Sequence, residues 1–572
     1  MPPKKKDFLK PNAKAKAKSQ EPQTENDFLE AADEFEQAAG KWRAGDAAKA
    51  TRFFNRAIDM YNAGLQKYPR SFDLAYNKAN LEYNMTEDPR IVSALGSKII
   101  LLEETLLSHR LAATLDEENT DVLFNTAQVL TSLAEALLEQ GTQETAKAPS
   151  RGLLEEAVAL FTKCIASQQQ EYEQTQTEFA HAQLEQESEG GVALEREESQ
   201  DQDGMETSST SSDAPGQWAT VLEPVTAETI LETCTAQLGA LTSLLGLYDP
   251  SDLAIVEERV QMGLDTADNK TPVLMGLIQD KTSIDAEELT PGPTLSIGSA
   301  STPEDVKTTA KDDALLAVAS FKATIAEVVY RNGQSDANQL ASQIENVFAP
   351  LTNNSPADNS FDAAFANVLS SYSDALIDLA SAISDSPNYT TSSPDLLSNL
   401  DTQWTALTTA QANLTKLSSP PCNTSLSASR LADIYLARGD SDLFRFRISL
   451  FSVAKAAWVK SKPVLLGNAG VFYRGARTYA EKAGALDVHK TADAKAIVAE
   501  VLKEALGGSG EKKAQWKGKQ EDVVKALEQM VEEGIVGSED AEGVMLSLQQ
   551  GLPLHSISGI RYILQIQGGV AS

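Results

Sequence analysis

The most constraining feature of the sequence is a set of apolar side chains that recur with the period of an α-helix. In the first set the spacings are four, three, four and three positions, which predicts one face of a helix: Phe28, Ala32, Phe35, Ala39 and Trp42. We expect this helix to begin at Asn26-Asp27, which has good N-cap chemistry. Gly45-Asp46 interrupts the pattern, and a second apolar face follows over 47–67. Two amphipathic helices joined by a glycine turn predict a helix hairpin.

The pattern of paired helices recurs along the chain. It predicts pairs at 72–85 with 90–115, 119–140 with 151–172, and 226–247 with 251–265, then helices near 308–331, 335–350, 360–385, 394–417, 426–437, 441–459, 464–484, 491–506 and 519–534. Alternating β-branched residues, the main signal for strands, are rare. The sequence therefore predicts an all-α chain.

Small and aromatic residues follow one another at fixed spacings within these helices. One half-motif, small–aromatic–small, occurs as Ala50, Phe54, Ala57 and as Ala157, Phe161, Cys164. The complementary half-motif occurs as Tyr76, Ala79, Asn80, Tyr83, with weaker copies at Phe124, Ala127, Gln128, Thr131 and at Leu431, Ala432, Tyr435, Gly439. An Ala or Gly where two helices cross lets their backbones approach, and the ring fills the adjacent space.

These motifs resemble those of the tetratricopeptide-repeat superfamily over 26–172 and, in degenerate form, over 426–484. The resemblance implies an α-solenoid of helix hairpins, with Gly45-Asp46 and Gly439-Asp440 as turns. Tyr76 and Phe124 are 48 positions apart, whereas one repeat has about 34 residues. Longer helices or an inserted segment must absorb the difference.

The resemblance also implies a non-enzymatic scaffold whose inner helices line a groove for a peptide or a partner helix. Asn77 and Asn125 occupy equivalent places on their helices, three positions before Asn80 and Gln128. Because an amide both donates and accepts, these four side chains are candidates for reading a client's backbone; ordinary solvated helix positions are the alternative. The cationic clamp with which related co-chaperones grip a C-terminal carboxylate is missing, since Lys78 alone supplies a charge at the corresponding places.

Charge is unevenly distributed along the chain. Residues 1–20 carry seven Lys and one Asp, residues 21–442 carry 25 basic and 67 acidic side chains, and residues 443–525 carry 16 basic and eight acidic ones. An acidic body repels nucleic-acid phosphates and attracts cationic proteins. The lysine-rich start is interpreted as a nuclear-import signal, an RNA contact or a segment that folds onto the acidic body. The basic 443–525 stretch, with Trp458, Tyr473, Tyr479 and Trp516, predicts a nucleic-acid face or a complement to that body.

Composition divides the chain into seven predicted parts: a disordered basic tail (1–25), tetratricopeptide-like repeats (26–172), a disordered acidic insertion rich in Glu, Gln and Ser (173–216), a further helix hairpin (217–279), a Pro/Ser/Thr-rich loop (280–306), degenerate repeats (307–486) and a basic helical C-terminal region (487–572). The acidic insertion is similar in kind to that of tetratricopeptide chaperones of histones. A flexible linker is the alternative interpretation.

No pattern for catalysis, a cofactor or a metal is visible. The four histidines and three cysteines lie far apart, without metal-ligand spacing. The glycine-rich stretch 507–510 lacks the Gly-Lys-Ser/Thr ending of a phosphate loop. No apolar run approaches the ~20 residues of a membrane span. We therefore expect neither an enzyme nor a small-molecule or membrane partner.

The sequence favours a scaffold in the cytoplasm or nucleus that escorts a basic client, a ribosomal protein or a histone, during assembly. Two alternatives remain open. One is a general adaptor without charge preference, and the other is an RNA-processing factor that uses the basic 443–525 face.

Overall fold

The computed structural model describes residues 21–140, 143–188, 224–248, 252–278, 308–353, 360–391, 393–507 and 518–548. In this part of the chain all regular secondary structure is helical. The helices are α1 (Glu25–Arg43), α2 (Ala47–Lys67), α3 (Phe72–Thr86), α4 (Pro89–Leu95), α5 (Lys98–Leu115), α6 (Thr120–Gln140), α7 (Gln143–Ser188), α8 (Ala227–Leu245), α9 (Leu253–Leu264), a π-helical segment (Asp265–Lys270), α10 (Thr271–Leu277), α11 (Ala310–Arg331), α12 (Ala337–Thr352), α13 (Ala363–Ser384), α14 (Leu396–Leu417), α15 (Cys422–Ser425), α16 (Ala428–Leu450), α17 (Ala456–Ala483), α18 (Leu486–Gly507), α19 (Gln520–Glu532) and α20 (Ser538–Leu548).

Polar side chains cap the first helices. Thr24 Oγ1 accepts the N–H of Asp27 (3.2 Å), and the Asp27 carboxylate accepts the N–H of Thr24 (2.8 Å), which is a complete capping box. The first helix therefore begins at Glu25, slightly before the Asn26-Asp27 start expected from the sequence. Asp46 accepts the N–H of Lys49 (2.9 Å), so the turn predicted at Gly45-Asp46 lies between α1 and α2.

Helices that are close in the chain pack against one another. α1 packs on α2, α3 on α5, α6 on α7, α7 on α8, α13 on α14 and α16 on α17. Each helix buries its apolar face against these neighbours, because an isolated amphipathic helix gains little stability in water. The result is an α-solenoid of stacked helices, which confirms the all-α prediction.

The solenoid curls so that distant helices approach across its inner face. Glu139 near the end of α6 is close enough to Asp433 on α16 for its charge to raise the pKa of that residue. The Arg90 side chain lies against Gly484, the residue with φ +73° that ends α17. The inner helices therefore surround a groove.

Small residues face aromatic rings at several helix crossings. A Cβ atom added to Gly439 would lie 2.4 Å from the Tyr473 ring, and one added to Gly475 would lie 2.7 Å from the Tyr435 ring. Most residues of the predicted small–aromatic motifs are buried: Ala50, Phe54, Ala57, Tyr76, Ala79, Tyr83, Ala127, Ala157, Phe161, Cys164, Leu431, Ala432 and Gly439. Phe124 and Tyr435 are half-buried.

The predicted helix 90–115 is two helices in the structure. α4 ends at Leu95, and Gly96 adopts φ +125°, a conformation that side-chain-bearing residues avoid. α5 then begins at Lys98. The short helix α4 adds a segment between α3 and α5, and it contributes to the long interval between Tyr76 and Phe124.

The prediction of a turn at Gly439-Asp440 is wrong. α16 runs unbroken from Ala428 to Leu450, so it joins the two helices predicted at 426–437 and 441–459. Gly439 is needed for the close approach of the Tyr473 ring, and Asp440 accepts hydrogen bonds from Tyr473 and Lys495. The hairpin turn lies instead between Leu450 and Ala456.

The helix predicted at 151–172 is longer in the structure. α7 extends from Gln143 to Ser188, about 69 Å at 1.5 Å per residue. It therefore covers the first part of the stretch predicted as a disordered insertion, and Phe179 on this extension is 63% exposed. The tail 1–20, residues 189–216 of the predicted insertion, residues 217–223 of the predicted hairpin region, the 280–306 loop and Trp516 lie outside the described residues.

Candidate functional site

An open cavity of about 540 Å³ runs along the inner face of the solenoid. Residues of α3, α6, α8, α11 and α13 line it, with Phe161 of α7 behind them. A second cavity of about 180 Å³ continues it along α11, α12 and α13. Both cavities are lined by Thr242, Ser320 and Ser371, so they form one groove.

The part of the groove on α8, α11 and α13 has small side chains. Ala236, Gly239 and Ala240 come from α8, Ala317 and Ser320 from α11, and Ser371 from α13. A Cβ atom added to Gly239 would meet no other atom within 4 Å, which shows that the space in front of it is open. Small residues leave room for another polypeptide to approach the backbone of these helices.

Acidic residues of four helices lie near one another at this groove, and four of them line its cavities: Glu135, Glu327, Asp374 and Asp378. We call them the acidic band: Glu135 and Glu139 of α6, Glu327 of α11, Asp374 and Asp378 of α13, and Asp433 of α16. Glu139 acts electrostatically on Asp433, Asp433 on Asp374, and both Asp374 and Glu327 on Asp378. The band thus connects helices that are far apart in the sequence.

The carboxylates of α13 and α16 are difficult to ionise in this position. Burial within the groove, together with Glu327 and Asp374, raises the pKa of Asp378 to about 8. Burial and the neighbouring acids raise the pKa values of Asp374 and Asp433 to about 6. All three side chains are accessible to water. The groove walls nevertheless occupy much of the space that solvent would otherwise fill, which penalises the charged form.

Three cationic side chains favour ionisation of carboxylates in the acidic band. Arg331 donates to Glu327 (2.7 Å) and also to Asp385 (2.9 Å), so its charge is shared. Arg430 favours ionisation of Asp374 and Asp433, and Lys98 favours that of Glu135. The six carboxylates outnumber these cations. Burial raises the pKa of Glu135 despite the charge of Lys98.

The predicted amide residues have different environments. Gln128 lines the larger cavity. Asn125 is buried and donates from Nδ2 to Tyr76 Oη (2.8 Å) and to Asn80 Oδ1 (3.3 Å), so it joins α3 to α6. Asn77 donates to the Asp73 carbonyl of its own helix (2.8 Å). A role of Asn77, Asn80, Asn125 and Gln128 in client binding stays a prediction.

Several charges of the basic 443–525 stretch form ion pairs with acids of the same chain. Lys495 donates to both oxygens of Asp440 at 3.0 Å, and Arg477 and Lys519 both pair with Asp493. Lys455, at the start of this stretch's longest helix, pairs with Asp401.

The aromatic residues of this stretch also belong to the interior. Trp458 stacks on Trp404 at 4.8 Å between ring centroids and is 5% exposed. Tyr473 is fully buried, and its hydroxyl donates to Asp440 (2.7 Å). Tyr479 is half-buried and lies beside Tyr435. These rings contribute to packing between α14, α16 and α17.

The nucleophilic and metal-ligating residue types occupy packed positions. Burial raises the pKa values of Cys164 and Cys234 to about 12 and lowers that of His109 to about 4. Within the described ranges, no group of three His, Cys, Asp or Glu side chains has the geometry of a metal site. Across those same ranges, no helix combines the length and apolar character needed to span a bilayer.

Sequence reasoning did not single out the acidic band. The one local signal was the four-residue spacing of Asp374 and Asp378, which places both on one face of α13. Such pairs are common on solvated helix faces. The approach of α6 to α16 depends on the curvature of the whole solenoid, which no local pattern encodes.

Comparison with known proteins gives limited similarity. No family model matches the chain. It is 30% identical over 131 residues to the UPF0656 protein C926.02 of Schizosaccharomyces pombe (strain 972 / ATCC 24843), a match that covers 23% of this chain and 29% of that protein. The chain thus spans under a third of the length of this relative. A circular tandem repeat protein with novel repeat topology and enhanced subunit contact surfaces aligns over 92% of this chain and 100% of its own, with a TM-score of 0.27 and 12% sequence identity.

Proposed function

We propose that this chain is a non-enzymatic scaffold whose acidic groove holds a basic segment of another protein. The observation that carries the proposal is the acidic band beside an open groove, in which neighbouring carboxylates raise the pKa values of Asp374, Asp378 and Asp433. In the empty protein, repulsion between these carboxylates raises the free energy of their charged forms. A cationic ligand would offset that repulsion. The inferred role is that of an escort for a basic client, such as a ribosomal protein or a histone, during assembly.

The electrostatics favour a lysine- or arginine-rich ligand. A cation placed beside Asp378 stabilises its charged form, so binding is coupled to loss of a proton from that carboxyl. The small side chains of α8 and α11 leave space for the ligand backbone, while the acids are available to its side chains. The resemblance to tetratricopeptide repeats, which also bind partners on inner helices, supports the same use of this face.

A general adaptor without charge preference is the first alternative. It predicts binding that changes little with ionic strength, whereas attraction between exposed charges weakens as salt shortens the Debye length. The RNA-processing alternative rests on the basic 443–525 stretch. Four of its cations already pair with acids of the same chain, which leaves this alternative with less support: Lys455, Arg477, Lys495 and Lys519.

Peptide binding to the full chain tests the proposal. The probe is a fluorescent oligolysine peptide, with an oligoglutamine peptide of equal length as the uncharged control. We expect oligolysine alone to bind, with an affinity that falls as salt is raised. Binding of both peptides with equal affinity would support the adaptor, and binding of neither would contradict the proposal.

Matched variants locate the binding surface. The groove variant is D374N/D378N/D433N. The control, E30Q/E103Q/E104Q, replaces the same number of carboxylates at exposed positions of α1 and α5. Each partly exposed ion pair contributes roughly 0.2–1 kcal/mol, so the groove variant should bind oligolysine about tenfold more weakly. Equal losses in the two variants would show that general negative charge, and not the groove, attracts the peptide.

A further inference from the structure

We propose that the lysine-rich segment 1–20 of this chain is an intramolecular occupant of the acidic groove, where it competes with the client. This inference rests on the proposed function and concerns regulation of the same site. Three observations carry it: the charge of the segment, the place where the described chain begins, and the distance from that place to the acidic band.

The charges are complementary in sign. Residues 1–20 contain Lys4, Lys5, Lys6, Lys10, Lys14, Lys16 and Lys18, with Asp7 as the one acidic residue. The acidic band presents six carboxylates against three shared cations. A basic client and this segment would therefore use the same type of contact.

The described chain begins close to the N-terminal end of α3. The Gln23 carbonyl accepts hydrogen bonds from Lys67 Nζ and Tyr68 Oη, both at 2.6 Å, and Glu25 accepts one from the Ser71 hydroxyl. These contacts fix the point from which the lysine-rich segment leaves the solenoid. Ser71 also caps α3, so this point lies at the start of an inner helix.

α3 leads from this point to the groove. Tyr83 lies eleven residues beyond Phe72, about 17 Å along the helix axis. Its side chain lines the larger cavity, and its hydroxyl is 3.0 Å from Ser132 Oγ of α6. Four further steps between inner helices, at about 8–10 Å each, separate α3 from α13. The path from Ser71 to Asp374 is therefore roughly 49–57 Å.

The segment is long enough for this path. Twenty residues separate Lys4 from Thr24, and n extended residues span at most ~3.3–3.6 Å each, or roughly 66–72 Å here. Lys18 can reach about 20 Å, which corresponds to the Tyr83 end of the groove. The intervening lysines cover the distances between these limits. Covalent attachment would give the segment an effective concentration on the order of millimolar.

The consequence is a weaker apparent affinity for any basic ligand. At an effective concentration of about 1 mM, a segment with an intrinsic Kd of about 0.1 mM would reduce client affinity about tenfold. A client with more cations than the segment, or with better-placed ones, displaces it. Peptides with few cations would therefore not displace the segment from the groove.

The first experiment compares oligolysine binding to the unaltered chain and to a variant in which the seven lysines of residues 1–20 are glutamines. We expect the variant to bind oligolysine about tenfold more tightly, and we expect the advantage to disappear when D374N/D378N/D433N is added. Unchanged affinity would overturn the inference. Failure of the glutamine variant to bind oligolysine at all would instead overturn the proposed function, so the two failures are distinguishable.

The second experiment maps the contact directly in the unaltered full chain. Carbodiimide joins lysines to carboxylates that touch them, and the products are identified by mass spectrometry. We expect links from Lys4–Lys18 to Glu135, Glu139, Asp374, Asp378 or Asp433, formed within one molecule. Links solely to exposed acids such as Glu103 and Glu104, or links formed solely between isotopically distinct copies, would contradict an intramolecular occupant of the groove.

Discussion

Acidic residues have opposite roles in the groove and in the C-terminal helices. In α16–α19 a buried carboxylate has cationic and hydroxyl partners: Asp440 accepts from Lys495 at 3.0 Å and from Tyr473 at 2.7 Å. In the acidic band, Asp374, Asp378 and Asp433 lie beside other carboxylates, and their pKa values rise. The same residue type therefore contributes to folding in one region and resists ionisation in the other.

The difference indicates which acids are available to a ligand. Burial alone would lower the pKa of Lys495, but Asp440 and Glu533 raise it overall, so this ion pair is complete within the fold. A carboxylate whose charge is satisfied has little to gain from an external cation. A carboxylate surrounded by like charges gains more, which is why we assign client binding to the groove.

Removing the buried cation should have the largest effect on stability. Lys495→Met leaves Asp440 and Glu533 without their cation in a buried site, and loss of one partner of such a pair typically costs about 3–5 kcal/mol. Urea unfolding of the full chain measures the change. Lys503→Met, at an exposed position of the same helix, should change the free energy of unfolding by less than about 0.5 kcal/mol. Similar effects of both variants would remove the contrast between the two regions.

The packing of Gly439 should have the next largest effect. In Gly439→Ala the new Cβ would lie 2.4 Å from the Tyr473 ring, so we expect a loss of about 1–3 kcal/mol. Gly152→Ala is the matched control, because it also lies inside a helix but its Cβ would meet nothing within 4 Å. There the better helix propensity of alanine predicts a gain of roughly 0.5–1 kcal/mol. A loss of similar size in both variants would show that the Tyr473 contact is not what makes alanine unfavourable at position 439.

Neutralising a groove acid should change the free energy of unfolding by a smaller amount, and it should increase that free energy rather than decrease it. Asp378→Asn removes a carboxylate that Glu327 and Asp374 repel, so unfolding at pH 8 should require slightly more urea than in the unaltered chain. Asp440→Asn, which weakens the buried pair with Lys495, should require less. Destabilisation by Asp378→Asn at that pH would show that its charge supports the fold.

The pH dependence of stability should be the weakest of these signals. The folded-state pKa of Asp378, about 8, exceeds the ordinary value of 3.8, so the native state binds more protons than the unfolded state between these values. Its contribution to stability is therefore present at low pH and is lost as pH rises through about 8. Between pH 6.5 and 8, His109 is neutral in the folded state, whereas in the unfolded state it changes from half protonated to almost fully neutral. Because the unaltered chain and the Asp378→Asn variant both contain His109, its contribution cancels when the two are compared. Asp378→Asn should flatten the fall of the urea midpoint over this interval, and an unchanged slope would contradict the raised pKa.

Local patterns were sufficient to predict most helices. The spacing of Phe28, Ala32 and Phe35 defines a helix face without tertiary information, and α2 has the bounds that its apolar face and flanking turns predict. Two errors in the helix bounds arose at glycines, because a glycine can either end a helix or lie inside one where a neighbouring side chain needs space. Gly96 does break a helix, with φ +125°. Gly439 instead lies inside one and receives the Tyr473 ring, a contact that depends on the packing of α17.

The site was less predictable than the fold. An excess of acids over 21–442 indicated a negative surface, but it did not indicate which carboxylates share the groove. Asp433 and Glu139 become neighbours because many helix crossings add up to one curl of the solenoid. Asn125, which the motif suggested for client binding, is buried against Tyr76, and its amide could not be distinguished from a solvated one by spacing alone.

Proton release on ligand binding tests the central claim most directly. The full chain is titrated calorimetrically with oligolysine near neutral pH in two buffers of different ionisation enthalpy, which yields the number of protons exchanged. We predict that protons are released, because lysines beside Asp378 lower its raised pKa, and that Asp378→Asn reduces the release. Binding without proton release, or with equal release from the variant, would contradict a ligand site at the acidic band.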